Sequence, residues 1–167
     1  CEGFKDFTFS VGFEDDFFVP MPLSASHAMA GANIIVCLSA KNEQVGRNTY
    51  LQHIIKAQST QLTCGYVFTN AGAGESTTDY VYAGHNYIAE NGDILAESKP
   101  FSTGLTISEI DVAKLAQERL SSNAFPLHKN DKGYYTVWFD MNIVATTLTR
   151  SIDPMPFIPS EIGRAHV

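Results

Sequence analysis

Along residues 7–13, Phe7, Phe9, Val11 and Phe13 alternate with Thr8, Ser10 and Gly12. A period of two predicts a strand, and the acids Glu14, Asp15 and Asp16 with Pro20 and Pro22 are expected to end it. Ser24 or Ser26 can cap a short helix through Ala28, Met29 and Ala30, whose small side chains allow close packing. Residues 33–38 form a continuous apolar run of strand length, the pattern of a strand covered on both faces. After Gly46 and Arg47, the apolar positions Leu51, Ile54, Ile55 and Leu62, with Gln58 between, recur at helical spacing, predicting a helix over about 48–63. Residues 66–69 read as a further buried strand, and residues 80–98 alternate around Asn91-Gly92, a strong hairpin signal. Residues 105–110 predict another strand, and Asp111 can cap a helix whose face carries Val112, Leu115, Ala116 and Arg119. Residues 123–132, broken by Pro126, predict a loop; residues 134–149, aromatic and β-branched, predict one long strand or a hairpin. Strands alternating with helices and followed by hairpins argue for α/β layers.

Three short stretches carry more specific information: Val19-Pro20-Met21-Pro22, then Gly74-Glu75-Ser76-Thr77-Thr78-Asp79, then Gly84-His85-Asn86. In this order and spacing the chain resembles the glutaminase domain of glutamine-dependent NAD synthetases, which are nitrilase-like carbon–nitrogen hydrolases. The resemblance runs from Phe7 to about Pro159 and implies an α/β fold, the second half of a nitrilase-like four-layer αββα sandwich. Residues 1–153 would be a partial hydrolase domain and residues 154–160, with Pro154, Pro156 and Pro159, a linker towards a synthetase domain. Strands absent from such a half would leave apolar sheet surface exposed.

In that family the nucleophilic cysteine follows a strand and opens an acidic stretch before the Val-Pro run. Here the stretch is Glu14-Asp15-Asp16-Phe17-Phe18, so the nucleophile position holds Glu14. The family's glutamate base and lysine would lie upstream of Cys1 and have no counterparts in this sequence, which leaves the catalytic residues unknown. A carboxylate adding to an amide gives a tetrahedral species that expels the carboxylate again, so Glu14 cannot replace a thiolate. An anion fixed in an ion pair with the family's lysine is the preferred reading. The family's Asn-Leu-Ser-Ala-Ser segment is matched by Cys37-Leu38-Ser39-Ala40-Lys41, followed by Gly46-Arg47. The resemblance implies substrate-binding positions at Asp15, Lys41 and Arg47. Arg47 can hold a carboxylate through its planar fork, whereas Lys41 replaces a small hydroxyl with a long cationic stem.

Other candidates have plainer readings. Cys1 precedes the first strand instead of following it, Cys37 sits inside an apolar strand as a small hydrophobe, and Cys64 ends a helix. Glu14, Asp15 and Asp16 on an extended segment would diverge, with no further ligand spaced to join them around a cation. His85 and His128 are isolated, and His53 lies off its helix's apolar face. Ser76, Thr77 and Thr78 can hydrogen-bond a loop, with Glu75 a satisfied carboxylate near the family's site. Gly72, Gly74 and Gly84 do not form a phosphate loop.

Composition narrows the classes of partner. Across 167 residues, 18 acidic side chains outnumber 11 basic ones, giving a net charge of −7, which argues against nucleic acid. No apolar run approaches the roughly 20 residues of a membrane span. Three cysteines without metal-ligand or CxxC spacing fit a reducing, cytoplasmic setting. The chain opens on Cys1 and is expected to be cut from something longer. Residues 162–167 match one reading frame of a common sequencing-adapter oligonucleotide, so 161–167 are excluded as a scar, with a natural polar tail the alternative.

These features lead to a fragment of a glutamine-dependent NAD synthetase whose hydrolase domain is inactive at Glu14. Glutamine would be the family substrate, and the full-length protein a homo-oligomer carrying a synthetase domain. No cofactor is expected on this segment; ATP and Mg are expected on the synthetase domain. The alternative is a stand-alone, non-catalytic structural or regulatory module.

Overall fold

The structure is a computed structural model and describes residues 7–126, 132–140 and 147–152. Ten elements follow one another: β1 (Phe9–Phe13), α1 (Glu14–Phe17), α2 (Leu23–Met29), β2 (Ile34–Ser39), α3 (Arg47–Gln61), β3 (Gly65–Asn70), a 3₁₀ turn (Ala73–Glu75), β4 (Tyr87–Glu90), β5 (Asp93–Glu97) and α4 (Val112–Ser121). The five strands form one sheet in sequential order. β1, β2 and β3 are parallel, with Phe9 opposite Ile34 and Ile34 opposite Gly65; β4 and β5 then run antiparallel.

Period-two geometry explains which side is core. Ile35 and Cys37 of β2, Tyr66 and Phe68 of β3, and Tyr87 and Ala89 of β4 stand in register on one face. They pack against Phe17 of α1, Ala28 of α2, and Leu51 and Ile55 of α3, forming one buried cluster. Phe18 stacks on Phe68 with ring centroids 6.0 Å apart. The opposite face is covered at one end, where Ile110 lies against Ile34 beside Gly65. On β1 it is open: Phe9, Val11 and Phe13 are 45%, 50% and 63% exposed. Phe139 lies edge-on to Phe9 at 5.9 Å.

Several expectations need correction. The three acids do not simply end β1 on an extended segment but wind one turn of helix, α1. Neither Ser24 nor Ser26 caps α2. Pro22 precedes its first residue, and Ser24 is turned into the core to donate to Gln58 Oε1 at 2.9 Å. Only residues 87–97 of the expected 80–98 hairpin pair, around a turn in which Asn91 and Gly92 both have positive φ (45° and 99°). Residues 105–110 form no strand; they pass over the sheet end and lead into α4, which Asp111 caps by accepting from Lys114 N at 2.9 Å. Residues 134–140 and 147–149 also form no strand; at the end of the second stretch Glu109 takes Thr149 N, Thr149 Oγ1 and Arg150 N. Cys1, residues 127–131 of the expected loop with His128, residues 141–146, the expected linker at 154–160 and the sequence at 161–167 lie outside the described residues.

Candidate functional site at the carboxyl ends of the parallel strands

Ligand sites in parallel α/β sheets open beyond the carboxyl ends of the strands, where the backbone leaves the sheet. β1, β2 and β3 here deliver Glu14, Ser39 and Asn70 to one such end. Glu14 begins the helical turn directly after β1, and its neighbours separate by their positions on that turn. Phe17 enters the core, Asp15 faces solvent, and Glu14 is only 6% exposed. Gly12 permits this, since a Cβ there would stand 2.4 Å from the Phe17 ring.

A carboxylate so far from water needs charge-assisted partners. Arg47, the first residue of α3, donates from Nη2 to Glu14 Oε1 at 2.7 Å and to Oε2 at 3.0 Å. The Ser39 hydroxyl also donates to Oε2. Both partners of the ion pair are withdrawn from solvent, with side-chain exposures of 12% for Arg47 and 8% for Glu14. At the rim, Lys41 Nζ pairs with the Asp15 carboxylate, whose hydrogen bond and charge raise the lysine's pKa. The four site residues read from the sequence are thus brought together, but as two cation–anion pairs. Glu14 does form a fixed ion pair, and its partner is Arg47.

Several residues hold this arrangement. Asn70 accepts from Lys41 N at 3.2 Å and donates to Lys41 O at 3.1 Å. Asn86 accepts from Asn70 N at 3.1 Å, so the Gly84-His85-Asn86 stretch supports the site from behind. His85, fully buried, lies 2.7 Å from Glu97 and contacts the Tyr87 hydroxyl, which donates to Asn48 in the first turn of α3. The hydroxyls of Ser76 and Thr77 hold their loop by accepting from Tyr82 N and Tyr80 N. Glu75 departs from expectation: it is exposed, and although its N–H donates to Gly72 O at 3.0 Å, its carboxylate has no hydrogen-bond or ion partner among the described residues. His53 is exposed on α3.

A cavity of about 440 Å³ opens beside the pairs, walled by Phe18, Val19, Tyr50, Asn42 and Gln44 as well as the four charged groups. Ser39, Phe18 and Tyr50 belong to the site and were not singled out from sequence; the signal for Ser39 was its place at the end of β2, one strand from Glu14. Neither described cysteine can act there. Burial pushes the thiols of Cys37 and Cys64 up to about 12, and both are fully enclosed. Both therefore stay protonated thiols at neutral pH. Among the described residues no group of three His, Cys, Asp or Glu side chains could hold a metal ion, and no helix is long and apolar enough to cross a membrane.

Comparison with known proteins adds ancestry to this geometry. The glutamine-dependent NAD(+) synthetase of Mycobacterium bovis is 33% identical over 95% of the chain. The chain is related to the glutamine-dependent NAD synthetases. It spans 25% of the length of that relative. Its fold is that of nitrilase-like carbon–nitrogen hydrolases. Saccharomyces cerevisiae Nit3, of the nitrilase superfamily, superposes over 73% of this chain and 43% of its own with a TM-score of 0.58 at 22% identity. The NAD(+) synthetase of Cytophaga hutchinsonii does so over 61% of this chain and 16% of its own with a TM-score of 0.50 at 20% identity. No protein-family model matches the chain.

Proposed function

We propose that the chain is a segment of a glutamine-dependent NAD synthetase whose hydrolase site no longer releases ammonia from glutamine, leaving the parent to amidate deamido-NAD with free ammonia. The pairing of Glu14 carries this reading. The carboxylate stands where the resemblance puts the nucleophilic thiol, and its two oxygens accept three hydrogen bonds from Arg47 and Ser39. A carboxylate adding to an amide is a better leaving group than the amide nitrogen, so it lacks the leaving-group order that covalent catalysis on an amide requires. Asp15, Lys41 and Arg47, the proposed substrate-binding positions, are paired as well, and the two thiols in the core are unreactive.

In this proposal glutamine is the ancestral substrate, a synthetase domain binds ATP and Mg, and the protein is cytoplasmic and homo-oligomeric. The test is NAD formation by the full-length parent with ammonium or glutamine as nitrogen donor. Turnover with ammonium alone is expected. Glutamine-dependent NAD formation by the unmodified parent would refute the proposal.

A further inference from the structure

Arg47 meets Glu14 through Nη2 alone, a single nitrogen serving both oxygens, whereas a guanidinium binds a carboxylate best through two parallel N–H···O bonds. Its Nε is buried without a hydrogen-bond partner among the described residues. Arg47 therefore has more donor capacity than the tethered carboxylate uses. Its charge, in contrast, has no substitute ion-pair partner among the described residues: Asp15 is engaged by Lys41, and Asp16 lies towards His27. Next to the pair lies the cavity of about 440 Å³, to which both Glu14 and Arg47 contribute walls, so a small molecule can reach the pair.

We propose that Glu14 is a built-in ligand: its carboxylate fills a carboxylate-binding site made by Arg47 and Ser39 and keeps that site closed to free carboxylates. The chemical class follows from the donors. A guanidinium and a hydroxyl converging on two oxygens suit a planar monocarboxylate, and the space left by a truncated Glu14 side chain admits one of formate or acetate size. A neutral amide of the same shape offers one acceptor oxygen and no charge, so it would leave Arg47 buried without a counter-ion. This rests on the same closed pair as the proposed loss of glutamine turnover, but carboxylate binding is a separate readout, and either can fail without the other.

The experiment measures thermal unfolding of the full chain as wild type, Glu14→Ala and Glu14→Ala/Arg47→Met, in acetate, formate, acetamide or sodium chloride at matched ionic strength. Acetate and formate should raise the melting temperature of Glu14→Ala by about 3–5 °C at ten times their dissociation constant. Acetamide and chloride should not, and the wild type and the double variant should not respond to any of the four. Should Glu14→Ala unfold during preparation, recovery of folded protein on refolding in acetate but not in chloride supports the same conclusion. Recovery in neither buffer, a carboxylate response of equal size in the wild type, or a folded Glu14→Ala that responds to no carboxylate overturns it.

Discussion

Replacing Glu14 with cysteine puts a thiol where the resemblance places the nucleophile, and its first consequence should be loss of stability. The carboxylate accepts two hydrogen bonds from Arg47 and one from Ser39, and a buried thiol of neutral charge can supply none of that compensation. Arg47 would stay where α3 puts it, 12% exposed, without a counter-ion. Removing one partner of a buried pair costs about 3–5 kcal/mol, mostly because the remaining charge is stranded. In a domain of this size that is a fall in melting temperature of about 6–20 °C. The assay is thermal unfolding by circular dichroism of wild type, Glu14→Cys, Arg47→Met and the double variant. The double variant should recover more than half of the loss, a coupling of about 2 kcal/mol or more, because it removes the stranded charge as well. The proposed function predicts no glutamine hydrolysis by any of the four. A Glu14→Cys melt within about 2 °C of wild type, or strictly additive losses, would show that the pair contributes little and that Glu14 is not the lock described above.

Three other outcomes follow from the same geometry. Cys37 and Cys64 titrate near 9 when unfolded and near 12 when folded, so above pH 9 the unfolded chain releases protons that the folded chain keeps; stability should be full below pH 9 and fall by about 2 kcal/mol per pH unit towards 12, and a flat urea midpoint from pH 9 to 11 would contradict this. The open face of β1 should make the isolated chain self-associate, with Phe9→Lys/Phe13→Lys shifting it towards monomer in size-exclusion chromatography; a monodisperse wild-type monomer counts against that. Gly12→Ala drives a methyl to 2.4 Å from the Phe17 ring, and overpacking of this kind costs about 1–3 kcal/mol, read as a lower urea midpoint; an unchanged midpoint would mean that α1 shifts freely.

Much of the scaffold was legible because it depends on local pattern. The apolar run marked β2 and the Leu51/Ile55 spacing marked α3, since β2 lies inside the sheet and α3 buries a single face; alternation marked β1 as a strand, but its apolar side chains Phe9, Val11 and Phe13 are the exposed ones. Failures came where tertiary partners override propensity. Residues 105–110 are apolar enough for a strand, but Ile110 covers the sheet end and Glu90 takes the N–H of Asp111, so the segment packs without joining the ladder. Ser24 looks like a cap in sequence because nothing local shows that Gln58, far along the chain, will accept its hydroxyl. For the site, the family resemblance brought Glu14, Asp15, Lys41 and Arg47 to attention. Their pairing was not legible, because it depends on the parallel register that sets the end of β2 beside the end of β1.

That register also sets an anion at position 14 directly against the cation that α3 brings to this strand end. In a parallel sheet the residue after β1 and the last residue of β2 share one strand end, and α3 starts there with Arg47. A neutral thiol at this place would leave the guanidinium free to meet an incoming carboxylate. A glutamate competes for it intramolecularly, with no loss of translational freedom and at the effective concentration of a tethered group. Lys41 adds a second cation at the rim, and Asp15 neutralises it in the same way. Each cation that could recruit a charged ligand is matched by an anion of the chain itself, so a single reversion at position 14 would leave the Lys41–Asp15 pair in place. Adding Lys41→Ser to Glu14→Cys in the full-length parent should consequently yield little glutamine-dependent NAD formation, because the geometry of attack depends on every wall of the pocket. Recovery to within tenfold of ammonium-dependent turnover by Glu14→Cys alone would show that charge pairing at this strand end is a minor obstacle.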